Sequence, residues 1–326
     1  MDRRPILIFM LLGAFLVALP FFLPTFGLHL AATTIIWVML ALSFNVMVGG
    51  LGELSFGHAA FYGIGAYSST LLVMKLGVPI PAAIVAAMLI TGAIGFLVGI
   101  PAFQTRGHYF ALVSMGFGEL VVLLLINWES LTEGFIGIRN IPGFGFGEDL
   151  KPVYFLLLAI CALVVLLLRR LQNSHVGEAF DAIREDTFLA ESIGIPAKRY
   201  KLLGMLFSTA IAGLAGALVA HLIQYISPTQ FDINATITIN LMTLVGGVGT
   251  LWGPIVGAIF LQLLPEMLHG IDQYRMGVYG LILILVIIFL PGGLASLVDM
   301  ATRALARRQS RKPVEGLAAT IAPEEG

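Results

Sequence analysis

The sequence predicts an all-α polytopic membrane protein with about ten transmembrane helices. The first observation is its composition, since 58% of its 326 residues are hydrophobic and the mean hydropathy is +0.96. The second is its low charge, because only 11% of residues are charged, whereas soluble domains average about 25%. The third is a series of apolar runs long enough to cross a bilayer. A water-soluble fold is excluded, and a net charge of −1 gives no indication of nucleic-acid binding.

The apolar runs divide the chain into spans and loops. A helix needs about 20 residues to cross the hydrocarbon core. The ten predicted spans are residues 5–23, 29–48, 54–74, 81–100, 109–127, 153–168, 202–223, 235–248, 253–268 and 277–290. The first follows Arg3 and Arg4 but lacks the small-residue cleavage site of a signal peptide, so it is interpreted as a retained span. The eighth and ninth are short and joined by glycines, so they are either two spans or a re-entrant pair.

The basic residues predict the orientation of these spans, because Lys and Arg concentrate in cytoplasmic loops. With the N-terminus inside, 14 of the 18 Lys and Arg fall on the cytoplasmic side. They are Arg3, Arg4, Arg106, Arg169, Arg170, Arg184, Lys198, Arg199, Lys201, Arg303, Arg307, Arg308, Arg311 and Lys312. Those outside are Lys75, Arg139, Lys151 and Arg275. Both termini are therefore predicted to be cytoplasmic, with a membrane domain over residues 1–302 and a basic, then disordered, tail over residues 303–326.

One cytoplasmic segment, residues 169–201, is the longest strongly charged stretch between spans. It contains six basic and five acidic residues. Apolar residues are interspersed with these charges, and an amphipathic helix of this kind can lie in a groove of another protein. We interpret the segment as a surface for a soluble partner; the alternative is a solvated loop that only joins two spans.

Local signals predict two short helices in this segment, over residues 177–185 and about 187–193. Asp186 or Thr187 is expected to cap the second, because a short side-chain oxygen can accept from the free N–H groups of a first helical turn. Gly194 suits the left-handed conformation that ends a helix, and the following Pro196 prevents its continuation.

The densest set of polar residues within apolar sequence lies around the second and third spans. It consists of Asn45, Glu53, Ser55, His58 and Tyr62. Polar groups inside a membrane are costly and often functional, and the neighbouring glycines at 49, 50 and 52 allow a broken helix that faces a cavity. The set is interpreted as the lining of a translocation path or its gate. The alternative is helix packing, with Glu53 solvated at the membrane surface.

Glu119 lies near the middle of the fifth span, where an ionised carboxylate needs a partner or water. It is interpreted as facing the path or another subunit, with packing as the alternative. His221, Asn240 and Gln262 are isolated polar residues, which are more often satisfied by structural hydrogen bonds than functional.

No enzyme motif stands out. Glu53, Ser55 and His58 include a nucleophile and a base, but nothing in the sequence orients them. The sequence has no P-loop and no metal-binding His/Cys spacing, and its single cysteine, Cys161, excludes an intramolecular disulfide. If ATP drives this protein, the ATPase must be another chain.

Several longer motifs together resemble the branched-chain amino acid ABC transporter permease family, in particular its LivM-type subunits. The motifs are GLGELSFGHAAFYGIGAY at 50–67, QTRGHYFALVSMGFGEL at 104–120, NWESLTEGFIGI at 127–138, the stretch from GEAFDAIREDTFLAESIGIPAKRYK to LAGAL at 177–218, and GGVGTLWGPIVGA at 246–258. The resemblance covers nearly the whole chain.

The resemblance implies an ABC importer permease fold and a bacterial plasma (inner) membrane location. It implies a heterodimer with a second permease subunit, two cytoplasmic ATPase subunits that bind ATP and Mg, and an extracytoplasmic amino-acid-binding protein, with membrane lipid around the spans. This chain would hold no cofactor and would not itself be an enzyme. The ATPase-contacting loop of the family is matched at Arg184, Glu185, Asp186, Glu191 and Gly194.

Three alternative functions remain open from the sequence. Urea and short-chain amide permeases belong to the same family and differ in substrate. A secondary carrier driven by an ion gradient would need buried charges, for which Glu119 is the one candidate. A membrane-embedded hydrolase is the third alternative.

Overall fold

The computed structural model describes residues 16–104, 108–147, 149–268, 275–290 and 292–296. Most of the predicted first span and the whole predicted tail, residues 303–326, lie outside this part of the chain. Residues 16–22 are helical. The named helices are α1 (Thr25–Asn45), α2 (His58–Leu76), α3 (Ile80–Ala102), α4 (His108–Asn127), α5 (Glu129–Thr132), α6 (Leu150–Gln172), α7 (His175–Glu185), α8 (Thr187–Ser192), α9 (Ala197–Ile223), α10 (Ile233–Gly246), α11 (Trp252–Met267) and α12 (Arg275–Phe289).

The all-helical membrane architecture predicted from the sequence is confirmed. Five helical segments are long and apolar enough to cross a bilayer, namely Thr25–Gly50, Ile80–Ala102, Tyr109–Asn127, Leu150–Gln172 and Ala197–Ile223. Helices also occupy the predicted third, eighth, ninth and tenth spans. The third begins at His58 rather than Leu54, because the chain from Gly52 to Gly57 is not helical.

α9 lies at the centre of the bundle, packed against α1, α2 and α3. Small residues allow this close approach. A Cβ at Gly65 would lie 2.2 Å from the carbonyl oxygen of Gly213, and one at Gly216 would lie 2.0 Å from that of Tyr62. Larger residues at these positions would force α2 and α9 apart.

α10 and α11 are separate helices of 14 and 16 residues. At a rise of 1.5 Å per residue they are about 21 Å and 24 Å long, shorter than the roughly 30 Å hydrocarbon core. They pack through glycine, since a Cβ at Gly246 would lie 1.9 Å from the carbonyl oxygen of Gly253. The turn between them contains Gly247 and Gly249, both with positive φ.

The loops cluster at two ends of the bundle. At one end, β1 (Ile138–Arg139) pairs antiparallel with β2 (Tyr225–Ile226), and Lys75 Nζ donates to the carbonyl of Ser130 at 3.0 Å. At the other end, Arg184 of α7 contacts the chain between α1 and α2 and the turn between α10 and α11. Loops predicted to lie on the same side of the membrane are thus found together.

Candidate functional site

The centre of the candidate site is an interruption between α1 and α2, residues 46–57, which we call the glycine break. α1 ends in a π-helical turn, Val46–Gly50, and regular helix resumes at His58. Gly49 is required by close approach, because its Cβ would lie 2.6 Å from the backbone nitrogen of Gly249. The broken helix expected from the glycines at 49, 50 and 52 is confirmed. It contacts the second glycine-rich turn, which the sequence places about 200 residues away.

Asn45 joins these two glycine-rich segments. Its Nδ2 donates to the carbonyl of Thr250 at 2.9 Å, and its Oδ1 accepts from the backbone N–H of Gly249 at 3.0 Å. The side chain is buried. Both ends of the amide are therefore satisfied by backbone groups, which fixes the position of the α10–α11 turn against the end of α1.

His58 is fully buried at the start of α2 and bonds to α1. Its Nε2 lies 2.8 Å from the Ser43 hydroxyl, which also donates to the carbonyl of Leu40 at 2.7 Å. Because a hydroxyl has one proton, His58 Nε2 is then the donor to Ser43. Ser208 of α9 donates to the Ser43 carbonyl at 2.6 Å, so this polar contact ties three helices together.

Ser55 and Tyr62 are buried on either side of His58. Ser55 Oγ accepts from the backbone N–H of Gly57 at 3.4 Å, a bond within the break. The Tyr62 ring packs edge-on against Phe231, with centroids 5.0 Å apart, and lies beside Trp37. The five predicted path residues of this region thus follow one continuous stretch, but they contact different elements and do not converge on one point.

Glu53 forms a buried ion pair. Its Oε1 lies 2.6 Å from Lys201 Nζ in the first turns of α9, and the two side chains are only 9% and 15% exposed. The interpretation of Glu53 as a solvated surface carboxylate is therefore wrong, because α9 covers it.

α4 packs against the glycine break, while Glu119 lies elsewhere on the same helix. The backbone N–H of Phe56 donates to Ser114 Oγ at 3.0 Å, and a Cβ at Gly57 would lie 2.0 Å from the Ser114 carbonyl oxygen. Glu119 is exposed, with no hydrogen bond or ion pair to any residue that the structure describes. It therefore does not join the other five, and it needs a partner or water from outside the described chain.

The charged segment folds as its local signals predict. The side chain of Asp186 caps α8, accepting from the backbone N–H groups of Phe188 at 2.8 Å and Leu189 at 3.1 Å. Gly194 has φ of +90°, the left-handed conformation expected after a helix end. Ile195 N–H then donates to the Ala190 carbonyl at 3.0 Å, and α9 begins after Pro196.

The five predicted ATPase-coupling residues differ in what they contact. Arg184 donates to the carbonyl of Gly49 and lies 3.3 Å from Asp181, so it faces the membrane domain. Asp186 is the α8 cap, and Gly194 shapes the turn that follows. Glu185 and Glu191 are exposed. Apart from Glu191 and Ser192, the exposed side chains of α8 are apolar.

Three apolar residues of α8 and its C-terminus project from the protein. Phe188, Leu189 and Ile193 are 76%, 62% and 70% exposed. Ala190 faces inward, against Ile183 and Ala197. The sequence indicated apolar residues in this segment, Leu189 and Ile193 among them, but it did not single out Phe188. A pattern this short does not say which face of a helix is buried.

The sequence did not indicate Lys201 or Ser43 as partners of the polar residues around the glycine break. Their own partners are distant in sequence, and no local pattern marks such a pairing.

His221 is satisfied structurally as expected, through Ser69 at 2.9 Å and the Pro142 carbonyl at 2.7 Å. The same expectation for Asn240 is wrong: its side-chain amide is buried, and neither end has a hydrogen-bond partner among the residues described.

Two cavities flank the glycine break. One of about 250 Å³ lies between the end of α1 and the α6–α7 connection, and is lined by Asn45, Gly49 and Phe180. The other, of about 290 Å³, is lined by Glu53, Arg184 and Lys201. No group of three or more His, Cys, Asp or Glu side chains suited to a metal occurs in the described ranges.

Comparisons with known proteins identify the family of this chain. Residues 27–287 match the family model described as "Branched-chain amino acid transport system / permease component". The permease proteins LivM of Salmonella typhimurium and Escherichia coli are each 34% identical over 305 residues, covering 85% of this chain and 72% of theirs. LivH of Escherichia coli is 24% identical and covers 82% of this chain and 92% of its own.

A solved structure, PsaBC from Streptococcus pneumoniae in complex with Fab, has a TM-score of 0.43 and 16% identity, covering 81% of this chain and 88% of that one. The family match extends from α1 into α12 and includes the glycine break and the charged segment. The chain therefore belongs to the family of branched-chain amino acid transport permeases.

Proposed function

We propose that this chain is the membrane-spanning permease subunit of an ATP-driven importer for branched-chain and related amino acids. The family description and the names of the LivM and LivH relatives support the substrate class. The proposal places the chain in the bacterial inner membrane, with both termini and α8 in the cytoplasm, as the distribution of basic residues indicates.

The observation that carries the coupling role is the exposed apolar surface of α8. Phe188, Leu189 and Ile193 project from a short helix whose start is capped and whose end is fixed by a left-handed glycine. Large apolar side chains exposed together outside a membrane mark a protein interaction surface. A rigid helix that presents them can lie in a groove of an ATPase subunit.

The remaining partners are those that the family resemblance implies. ATP and Mg would be bound by two ATPase subunits beneath the membrane, and closure of these subunits on ATP would displace α8. A second permease subunit would complete the path, and an extracytoplasmic binding protein would deliver the amino acid. In this scheme the chain moves substrate by a conformational change rather than by covalent chemistry.

The translocation path is proposed to follow the glycine break. Five polar residues belong to this stretch or lie at its borders, where the backbone departs from regular helix: Asn45, Glu53, Ser55, His58 and Tyr62. Non-helical backbone at membrane depth is tolerated where it is buried or lines a cavity. Glu119, exposed and without a described partner, is proposed to face the path or the second permease subunit.

The experiment is reconstitution of the chain with its neighbouring permease, ATPase and binding-protein chains in liposomes. We expect ATP-dependent uptake of labelled leucine that exceeds uptake of labelled urea, and co-purification of the ATPase with the permease. Uptake of urea in preference to leucine would mean that the substrate is urea or an amide rather than a branched-chain amino acid. Uptake driven by an ion gradient, without any associated ATPase, would make the protein a secondary carrier.

A further inference from the structure

Two cations from the charged segment hold the glycine break at two separate points. Arg184, near the end of α7, donates to the carbonyl of Gly49. Lys201, near the start of α9, pairs with Glu53 at 2.6 Å. Gly50, Leu51 and Gly52 lie between these two attachment points.

The Arg184 contact satisfies a carbonyl that the interrupted helix leaves free. In a continuous α-helix, the Gly49 carbonyl would accept from the N–H four residues later, but the Glu53 N–H instead donates to Met47 at 3.1 Å. The Arg184 side chain also contacts both glycine-rich segments. Its Cγ lies 3.3 Å from a Cβ built at Gly52, and its Nη1 lies 3.0 Å from one built at Gly249. One guanidinium therefore touches the two turns that meet at this end of the bundle.

The Lys201–Glu53 pair is buried, and its burial points to a role other than stabilising the fold. Removing two charges from water is costly, and apolar residues in their place are often as stable or more stable. A loop that only connects two spans needs no such pair. Its value lies in a fixed, directional attachment between α9 and the second half of the break.

α8 lies between the two cations along the chain. Arg184 precedes it by three residues and Lys201 follows its last residue, Ser192, by nine. Its inward residue Ala190 packs with Ile183, which directly precedes Arg184, and with Ala197, four residues before Lys201. A displacement of α8 is therefore passed to both attachment points together.

The glycine break in turn contacts the membrane helices. Phe56 N–H bonds to Ser114 of α4, and Asn45 bonds to the turn between α10 and α11. We propose that Arg184 and Lys201 are positioning residues that transmit the displacement of α8 to the glycine break, and through it to α4 and the α10–α11 turn. This inference rests on the proposed function, since it requires an ATPase that moves α8.

The test compares Lys201→Met with the reversed pair Glu53→Lys/Lys201→Glu in the reconstituted complex. The measured quantity is leucine taken up per ATP hydrolysed, together with complex yield and thermal stability. Lys201→Met should lower this ratio about fivefold or more, the size of a typical coupling between sites, while the ATPase still co-purifies. The reversed pair should recover most of the ratio, because it restores the attachment with the charges exchanged.

The matched control is Lys198→Met, an exposed lysine in the same helical turn, which should keep the wild-type ratio. If Lys201→Met lowers only yield or stability and the folded complex keeps the wild-type ratio, the pair is structural and the inference is overturned. If Lys201→Met does not assemble, the reversed pair decides. A reversed pair that assembles with a low ratio would also overturn the inference, because restoring the ion pair would not restore coupling. Absence of leucine uptake by the wild-type complex would instead reject the proposed function.

Discussion

At the scale of single residues, the buried polar side chains divide into those with partners and those without. Asn45, His58 and His221 each bond to groups that lie on other helices or loops. Asn240 has no such bond to any residue that the structure describes, although the residue is only 5% exposed. An unpaired buried amide costs free energy without stabilising the fold, so its presence in α10 calls for a role outside the folding of this chain alone.

We expect Asn240→Leu to leave the free energy of unfolding unchanged or raise it by about 1–3 kcal/mol, because an unpaired amide is removed. Thermal unfolding of the purified protein would measure this. The matched variant Asn45→Leu should be destabilised, since it loses two bonds to the α10–α11 turn. Destabilisation of Asn240→Leu to the same extent would show that the Asn240 amide is bonded in the folded protein.

Sequence rules worked best where a structural feature depends on neighbours in the chain. The Asp186 cap and the left-handed Gly194 were predicted because both depend on residues within one or two helical turns. The Lys201–Glu53 pair joins residues 148 positions apart, and the Asn45–Gly249 bond joins residues 204 positions apart. No local pattern encodes such pairings, so the sequence indicated polar residues around the break without their partners.

At the scale of elements, glycines set how closely helices and turns approach. We expect Gly57→Ala to cost about 1–3 kcal/mol of stability, because its Cβ would clash with the Ser114 carbonyl and separate α4 from the break. Gly116→Ala lies on α4 with open space around it. It should be neutral or stabilise by up to about 1 kcal/mol. Thermal unfolding of both variants would test this, and equal stability would contradict the close contact.

The α8 surface gives a second prediction at this scale. Replacing Phe188 and Leu189 by alanine should weaken ATPase association roughly tenfold, since truncating a central apolar contact typically costs about 1–2 kcal/mol. Co-purification of the ATPase would measure this. Phe135→Ala, at a phenylalanine that is also largely exposed but lies at the opposite end of the bundle, is the control. Unchanged association in the double variant would mean that the ATPase docks elsewhere.

The end of α8 can be tested separately from its surface. Gly194 has φ of +90° and nothing within 4 Å of its Cβ position, so only its backbone conformation matters. Gly194→Val should reduce ATPase association and coupling, because a β-branched residue resists this conformation. Gly194→Asn should be tolerated, since asparagine adopts it more readily. Equal function of both variants would show that the turn is not required, and Glu191→Lys would then test charge alone.

At the scale of the whole molecule, the structure groups the loops into two opposite ends, and the basic residues predict which end faces which side of the membrane. The single native cysteine, Cys161, is buried, which favours labelling experiments. A cysteine at Glu133 should react with an impermeant reagent in intact cells, and one at Glu185 should react only after the membrane is opened. The reverse labelling pattern would mean that the predicted orientation is wrong. Glu133 and Glu185 both lie in the described part of the chain, at opposite ends of the bundle, so the labelling assigns each end to one side of the membrane.

The exposed apolar side chains of α8 also affect the protein before it is assembled. In the proposed orientation, a copy made in excess of the proposed ATPase would present Phe188, Leu189 and Ile193 to the cytoplasm, where chaperones and proteases recognise unburied apolar surface. Burial of the same residues on docking would remove that signal. Cells would then retain assembled complexes and degrade orphan permeases, so that subunit stoichiometry is maintained by protein turnover as well as by synthesis.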